Sequence, residues 1–150
     1  MIYKSMKLGE MLLAEGVLSD EQLNTALDKQ KNSNRKLGEI LITEGFVTEQ
    51  ELLEFLSRQL SIPYLNLNTV EIDNSLAELL PETIARVHVV VPLEKADSTL
   101  TVAVSDPLDF VTIRNIESLT KCNINVVIAE KTKIENRIDK LYSYHKASTA

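Results

Sequence analysis

Apolar positions along this chain change their period near residue 60. Before that point leucines recur four apart, Leu23 with Leu27 and Leu52 with Leu56, which places each pair on one face of a helix. Beyond it the apolar residues gather into short β-branched runs at 88–94, 100–104 and 124–129. Between these runs the helical spacing returns, with Phe110, Ile113, Ile116 and Leu119 in one segment and Ile134, Ile138 and Leu141 in another. The pattern predicts an α+β fold. An N-terminal helical lobe of two repeated helix-turn-helix units covers residues 1–60, a smaller mixed α/β lobe covers 61–142, and a polar stretch at 143–150 reads as a tail or linker.

Breakers and caps refine the second lobe. Pro63 ends the helical region, and Tyr64 to Leu67 alternates apolar and polar residues like a short strand or extended linker. Asn74 or Ser75 can cap a short helix through Leu80, and Pro81 suits the first turn of another ending near Arg86. His88 then reads as a strand residue opening 88–94. The polar Asp97-Ser98 pair marks a turn, so that strand and 100–104 are expected to form a hairpin. Asp106-Pro107-Leu108-Asp109 breaks the second strand and caps the helix that follows, and a final helix is expected from about Lys131 to Tyr142.

The helical lobe is written twice. Residues 7–30 read KLGEMLLAEGVLSDEQLNTALDKQ and residues 36–59 read KLGEILITEGFVTEQELLEFLSRQ, a gapless repeat at an offset of 29 with five residues between the copies. All 4 glycines of the chain lie in it, Gly9 and Gly16 in the first copy, Gly38 and Gly45 in the second. Gly16 and Gly45 stand where a first helix must stop, since glycine enters the left-handed region without steric cost. Ser19-x-x-Gln22 and Thr48-x-x-Glu51 have capping-box spacing and start the second helix of each copy. Gly9 and Gly38 lie near the start of the first helix, where a missing side chain admits a backbone or a ligand and leaves amides facing outward.

The doubled K-L-G-x-x-L-x-x-x-G…L-x-x-x-L-x-x-Q pattern resembles the MshEN-type N-terminal domain of the ATPases that power type II secretion and type IV pilus assembly. Family members with the full pattern bind cyclic di-GMP, one motif copy for each half of the dinucleotide. The resemblance therefore implies a cytoplasmic, non-catalytic regulatory domain with cyclic di-GMP as its ligand. It implies roles for Lys7 and Lys36 at phosphates or base acceptors, for Gly9 and Gly38 in close backbone approach, and for Gln30 and Gln59 at base edges. Leu8, Leu12, Leu23, Leu27, Leu37, Leu41, Leu52 and Leu56 would supply apolar walls, with Glu39 beside them. Asp106 matches a segment that lies close to the nucleotide in ligand-binding members, although its own chemistry suits a helix cap. One departure is that the family pattern usually opens with arginine where this chain has lysine twice. Arginine grips a base edge or phosphate through a planar fork and lysine through a compact charge. A bidentate base contact is worth about 1–3 kcal/mol, so its loss weakens binding roughly tenfold. Arg35, next to Lys36, is placed to substitute in part.

Bulk composition narrows the alternatives. With 16 basic and 22 acidic residues, a net charge of −6, the chain has no global field for a long nucleic acid. The single cysteine, Cys122, fits a reducing compartment, and no apolar run nears the roughly 20 residues of a membrane span; direct membrane insertion is not expected. A phosphate-cradling G-x-x-x-x-G-K-[ST] loop needs glycines that do not occur after Gly45, so ATP hydrolysis is not expected of this chain. His88, His145 and Cys122 have no metal-ligand spacing, and no nucleophile stands beside a base. No metal or cofactor is expected. A purely structural repeat explains the leucines and glycines but has little reason to keep Lys7, Lys36, Gln30 and Gln59. A protein-docking module, anchoring the ATPase to an inner-membrane platform protein without nucleotide, is the alternative from another class.

Overall fold

The computed structural model describes residues 8–149, with side chains through Ser143. The chain divides into two compact units, Met1–Leu52 and Leu53–Ala150. Among the described residues there are seven α-helices and a three-stranded sheet, the α+β class expected from the change of period.

The first unit holds α1 (Leu8–Ala14), α2 (Asp20–Lys31), α3 (Leu37–Thr43) and the start of α4 (Glu49–Leu60). Gly16 and Gly45 take φ of 73° and 78°. At the first stop the Val17 N–H donates to the Leu12 carbonyl at 2.9 Å and the Gly16 N–H to the Leu13 carbonyl at 3.1 Å. Phe46 to Leu41 and Gly45 to Ile42 repeat that pair at 3.0 Å each, so both copies end their first helix in the same Schellman motif. Both capping boxes form. The Gln22 N–H reaches Ser19 Oγ at 3.1 Å while Ser19 N–H reaches Gln22 Oε1 at 3.0 Å, and Glu51 with Thr48 does the same at 3.1 and 2.9 Å. Met11, Leu12, Leu23, Ala26, Ile40 and Leu41 are buried, which puts the periodic apolar face inside.

The second unit is built on a sheet of order β1-β2-β3. β1 (Val90–Ala96) pairs antiparallel with β2 (Thr99–Val104), and β2 pairs parallel with β3 (Asn123–Ile128). The expected hairpin is present, with Asp97 at φ 54° in its turn. Pro92 lies on edge strand β1, where no inner ladder loses a donor, and the register shifts between Pro92 and Glu94. α6 (Phe110–Thr120) connects β2 to β3, and α5 (Glu82–His88) and α7 (Lys131–Thr149) complete the unit. Val90, Val91, Leu100, Val102, Ile116, Ile134 and Ile138 form its core.

Several boundaries differ from expectation. His88 is not a strand residue; it ends α5, and Val89 closes that helix in the left-handed region at φ 54°, its N–H donating to Ala85. A β-branched residue there is strained, and Val89 is held by packing against the core. The segment at Tyr64 makes a single bridge to Ile128, with Leu65 N–H donating to the Ile128 carbonyl at 2.8 Å, before a 3₁₀ turn at Leu67–Thr69. The short helix expected to 80 is a 3₁₀ turn, Asn74–Glu78, capped by Asp73 rather than by Asn74 or Ser75; the bonds from Ser75 hold the Asp73 carboxyl below its usual range. α7 runs to Thr149 instead of stopping at Tyr142, since neither glycine nor proline follows Pro107 to interrupt it.

Candidate functional site

The four glycines divide into two kinds. A methyl added at Gly16 or Gly45 would meet nothing within 4 Å, so glycine is needed there for its backbone angle. Gly9 and Gly38 need room instead. A methyl on Gly9 would stand 2.6 Å from Leu23 Cδ1 and 3.3 Å from Leu37 Cδ2; on Gly38 it would stand 3.2 Å from Leu52 Cδ2 and 3.7 Å from Leu8 Cδ2. Each glycine thus receives the α2- or α4-type leucine of its own copy and the opening leucine of the other copy. The two copies meet through their glycines in an exchange of equivalents, Leu37 at Gly9 and Leu8 at Gly38. The space that the sequence reserves for a close approach is occupied by leucine side chains.

Polar candidates lie at the edges of this contact. Lys36 is the exposed N-cap residue of α3. Arg35 folds onto α3: its Nη2 donates to Thr43 Oγ1 at 2.6 Å and to the Glu39 carbonyl at 3.5 Å, and its Nε stands 3.8 Å from Glu39 Oε2. Glu39 therefore acts on Arg35, a grip that the adjacency of Arg35 and Lys36 does not reveal, and one weak enough to be exchanged because both side chains are about half exposed. Gln30, half-buried, donates from Nε2 to the Arg35 carbonyl at 3.4 Å, a long bond that leaves amide capacity over. Lys29 of α2 pairs with Glu44 at 2.8 Å. Lys7 lies outside the described residues.

Among the leucines, Leu12 and Leu41 are fully buried and serve as core in this structure. Leu23 and Leu52 are nearly so, Leu8 and Leu37 are half-buried, and Leu27 is 37% exposed. In the second unit Leu56 is buried and Gln59 half-buried.

Asp106 is not the helix cap. Its Oδ1 accepts from the Leu108 N–H at 3.1 Å, forming the turn before α6, while Asp109 caps that helix by accepting from the Thr112 N–H at 3.2 Å. Asp109 Oδ2 also accepts from Thr112 Oγ1 at 2.7 Å, which leaves His88 Nδ1, 3.1 Å from that hydroxyl, to act as donor. His88 is thereby tied to the start of α6, a link invisible in the sequence because the partners are 24 residues apart. No group of three histidine, cysteine or carboxylate side chains able to hold a metal occurs among the described residues. Nor is any described helix long and apolar enough to cross a membrane.

Comparisons with known proteins bear on the family and the fold. The sequence model of the MshEN domain family matches residues 60–148. The chain is 32% identical over 139 residues to the type IV pilus assembly ATPase PilB of Myxococcus xanthus, an alignment covering 93% of this chain and 25% of that protein. The PilB of Thermus thermophilus is 31% identical over 116 residues, 76% of this chain and 13% of the relative. The chain thus spans about a quarter or less of these relatives. Its fold is similar to the structure of MshE with cdg, at a TM-score of 0.80 and 36% identity, covering 91% of this chain and 99% of that one. The N-terminal domain of XpsE shares the fold at a TM-score of 0.70 and 19% identity, over 88% and 91% of the two chains.

Proposed function

This chain belongs to the MshEN domain family, and from that premise we propose that it is the regulatory, non-catalytic N-terminal domain of a type II secretion or type IV pilus assembly ATPase and binds cyclic di-GMP through its two tandem motifs. The observation that carries the reading is the gapless repetition of both glycine kinds, both capping boxes and the flanking Lys and Gln positions. The likeness to MshE with cdg, extending over most of the chain at 36% identity, supports it.

The chemistry assigned to each residue follows from its environment. Lys36, exposed at the start of α3, supplies positive charge for a phosphate, and Lys7 does so in the first copy. Gln30, whose bond to a described residue is long, can pair a base edge with its remaining donors and acceptors, and Gln59 is its equivalent. The partly exposed Leu8, Leu27 and Leu37 offer apolar surface to a purine, while Leu12 and Leu41 hold the scaffold beneath. Arg35 can turn to a phosphate by giving up an exposed ion pair to Glu39 worth less than about 1 kcal/mol together with its hydrogen bonds to Thr43 and the Glu39 carbonyl. Cyclic di-GMP contributes two negative charges and two guanines.

Titration calorimetry with cyclic di-GMP, against linear dinucleotide and GTP, tests the proposal. Saturable heat with the cyclic ligand alone supports it, and Gln30→Ala with Gln59→Ala should abolish that heat. Docking to an inner-membrane platform protein without nucleotide is the second reading, favoured by the lysines standing in place of the family's arginines. A platform-protein titration that succeeds without nucleotide, and is unchanged by those alanines, would select it.

A further inference from the structure

Lys133, Arg137 and Lys140 recur at i, i+4 and i+7 along α7 and so share one face of that helix. None of the three is ion-paired with a described carboxylate. Their bonds go to neutral acceptors. Lys133 Nζ donates to Asn66 Oδ1 at 3.2 Å, and Arg137 Nη1 donates to the carbonyls of Leu67 and Val70, the latter at 2.7 Å. Two hollows adjoin this face, one of about 260 Å³ lined by Ile72, Asn74, Arg137 and Lys140, and one of about 640 Å³ that reaches Asn68 and Ser143. Arg137 and Lys140 line both. The carboxylate on the rim, Asp139, is paired with Arg86 at 2.7 Å, which also holds Glu82 at 2.7 Å; these contacts raise the Arg86 pKa. In a chain of net charge −6, this groove is locally cationic.

We propose that this groove is a docking site for an acidic peptide segment of a partner protein, distinct from the cyclic di-GMP reading of the repeats. Charge complementarity selects the sign, and three features select a peptide. The cations span about 10 Å of helix, the reach of some three residues of extended chain. The asparagine amides beside them can pair with a peptide backbone, which needs both donors and acceptors. The acidic surface elsewhere disfavours a long nucleic acid. Arg137 is fixed in place by its two carbonyl partners, so its fork is pre-organised before anything binds.

The test is a titration of the full 150-residue chain, without cyclic di-GMP, into fluorescein-labelled hexaglutamate, followed by anisotropy at low salt. Saturable binding that weakens as salt rises is expected. Lys133→Gln with Lys140→Gln should reduce affinity about threefold or more. Lys140→Gln alone, at an exposed position making no described bond, guards against a folding defect and should reduce it as well. The absence of saturable binding, equal binding by both variants, or displacement by pyrophosphate at lower concentration than by unlabelled hexaglutamate would overturn the proposal. Cyclic di-GMP binding by these variants should match the parent chain, so failure here and failure of the nucleotide reading are separately visible.

Discussion

At the scale of single residues, two kinds of glycine predict different responses to the same substitution. Gly16→Ala forces a side chain into the left-handed region and should cost about 1–2 kcal/mol, with no clash to relieve. Gly9→Ala presses a methyl to 2.6 Å from Leu23 Cδ1 inside a buried contact. Overpacking of about 1–3 kcal/mol exceeds the helix-propensity gain of roughly 1 kcal/mol, so a net loss is expected. At Gly38 the nearest atom is 3.2 Å away and the two effects nearly cancel. Urea denaturation of the three alanine variants should therefore rank Gly38→Ala as the mildest. Tyr142 gives a second prediction. Its hydroxyl, buried, donates to the Leu80 carbonyl at 2.6 Å, and burial pushes its pKa up to about 12. A folded pKa above the unfolded value of about 10 means that the contribution is complete below pH ~10 and lost as pH rises through about 12. Tyr142→Phe should cost about 1–2 kcal/mol at neutral pH by orphaning that carbonyl, and should flatten the loss of stability between those pH values.

At the scale of elements, the capping boxes are where sequence and structure agree most closely. Ser19→Ala and Thr48→Ala should each cost about 1 kcal/mol, and thermal melts of the single and double variants should show near-additive losses, since no hydrogen bond connects the two caps. Such features were legible because they are local: a cap, a glycine stop and a four-residue spacing all act within one turn of chain. The hairpin was legible for the same reason, through Asp97 and Ser98. Features decided by the folded geometry rather than by residue spacing were not, whether the partner is near or far along the chain. His88 looks like the head of a β-branched run, yet helix α5 extends to it and Thr112 fixes it from another element. Asp106 and Asp109 are equivalent by composition; only the position of the Thr112 amide decides which one caps. Arg35 reads as a spare cation until Glu39 and Thr43 are seen to hold it. The stripe of Lys133, Arg137 and Lys140 is visible in the sequence as a period, but its lack of carboxylate partners among the described residues emerges only in three dimensions.

At the scale of the whole molecule, the chain separates a repeated helical unit from a mixed unit, and the family match at 60–148 falls on the latter. The doubled motif lies before that stretch, so the nucleotide proposal rests on the repeat and on the likeness to MshE with cdg. If the lysines lower affinity by giving up a bidentate grip, Lys7→Arg with Lys36→Arg should restore it by roughly tenfold or more. A docking module indifferent to nucleotide would show no such response. The most direct measurement is titration calorimetry of the unmodified chain and this double arginine variant with cyclic di-GMP. The account predicts saturable binding to the unmodified chain and tighter binding to the variant, with no heat from GTP. Absence of heat from both proteins at high micromolar cyclic di-GMP would contradict it.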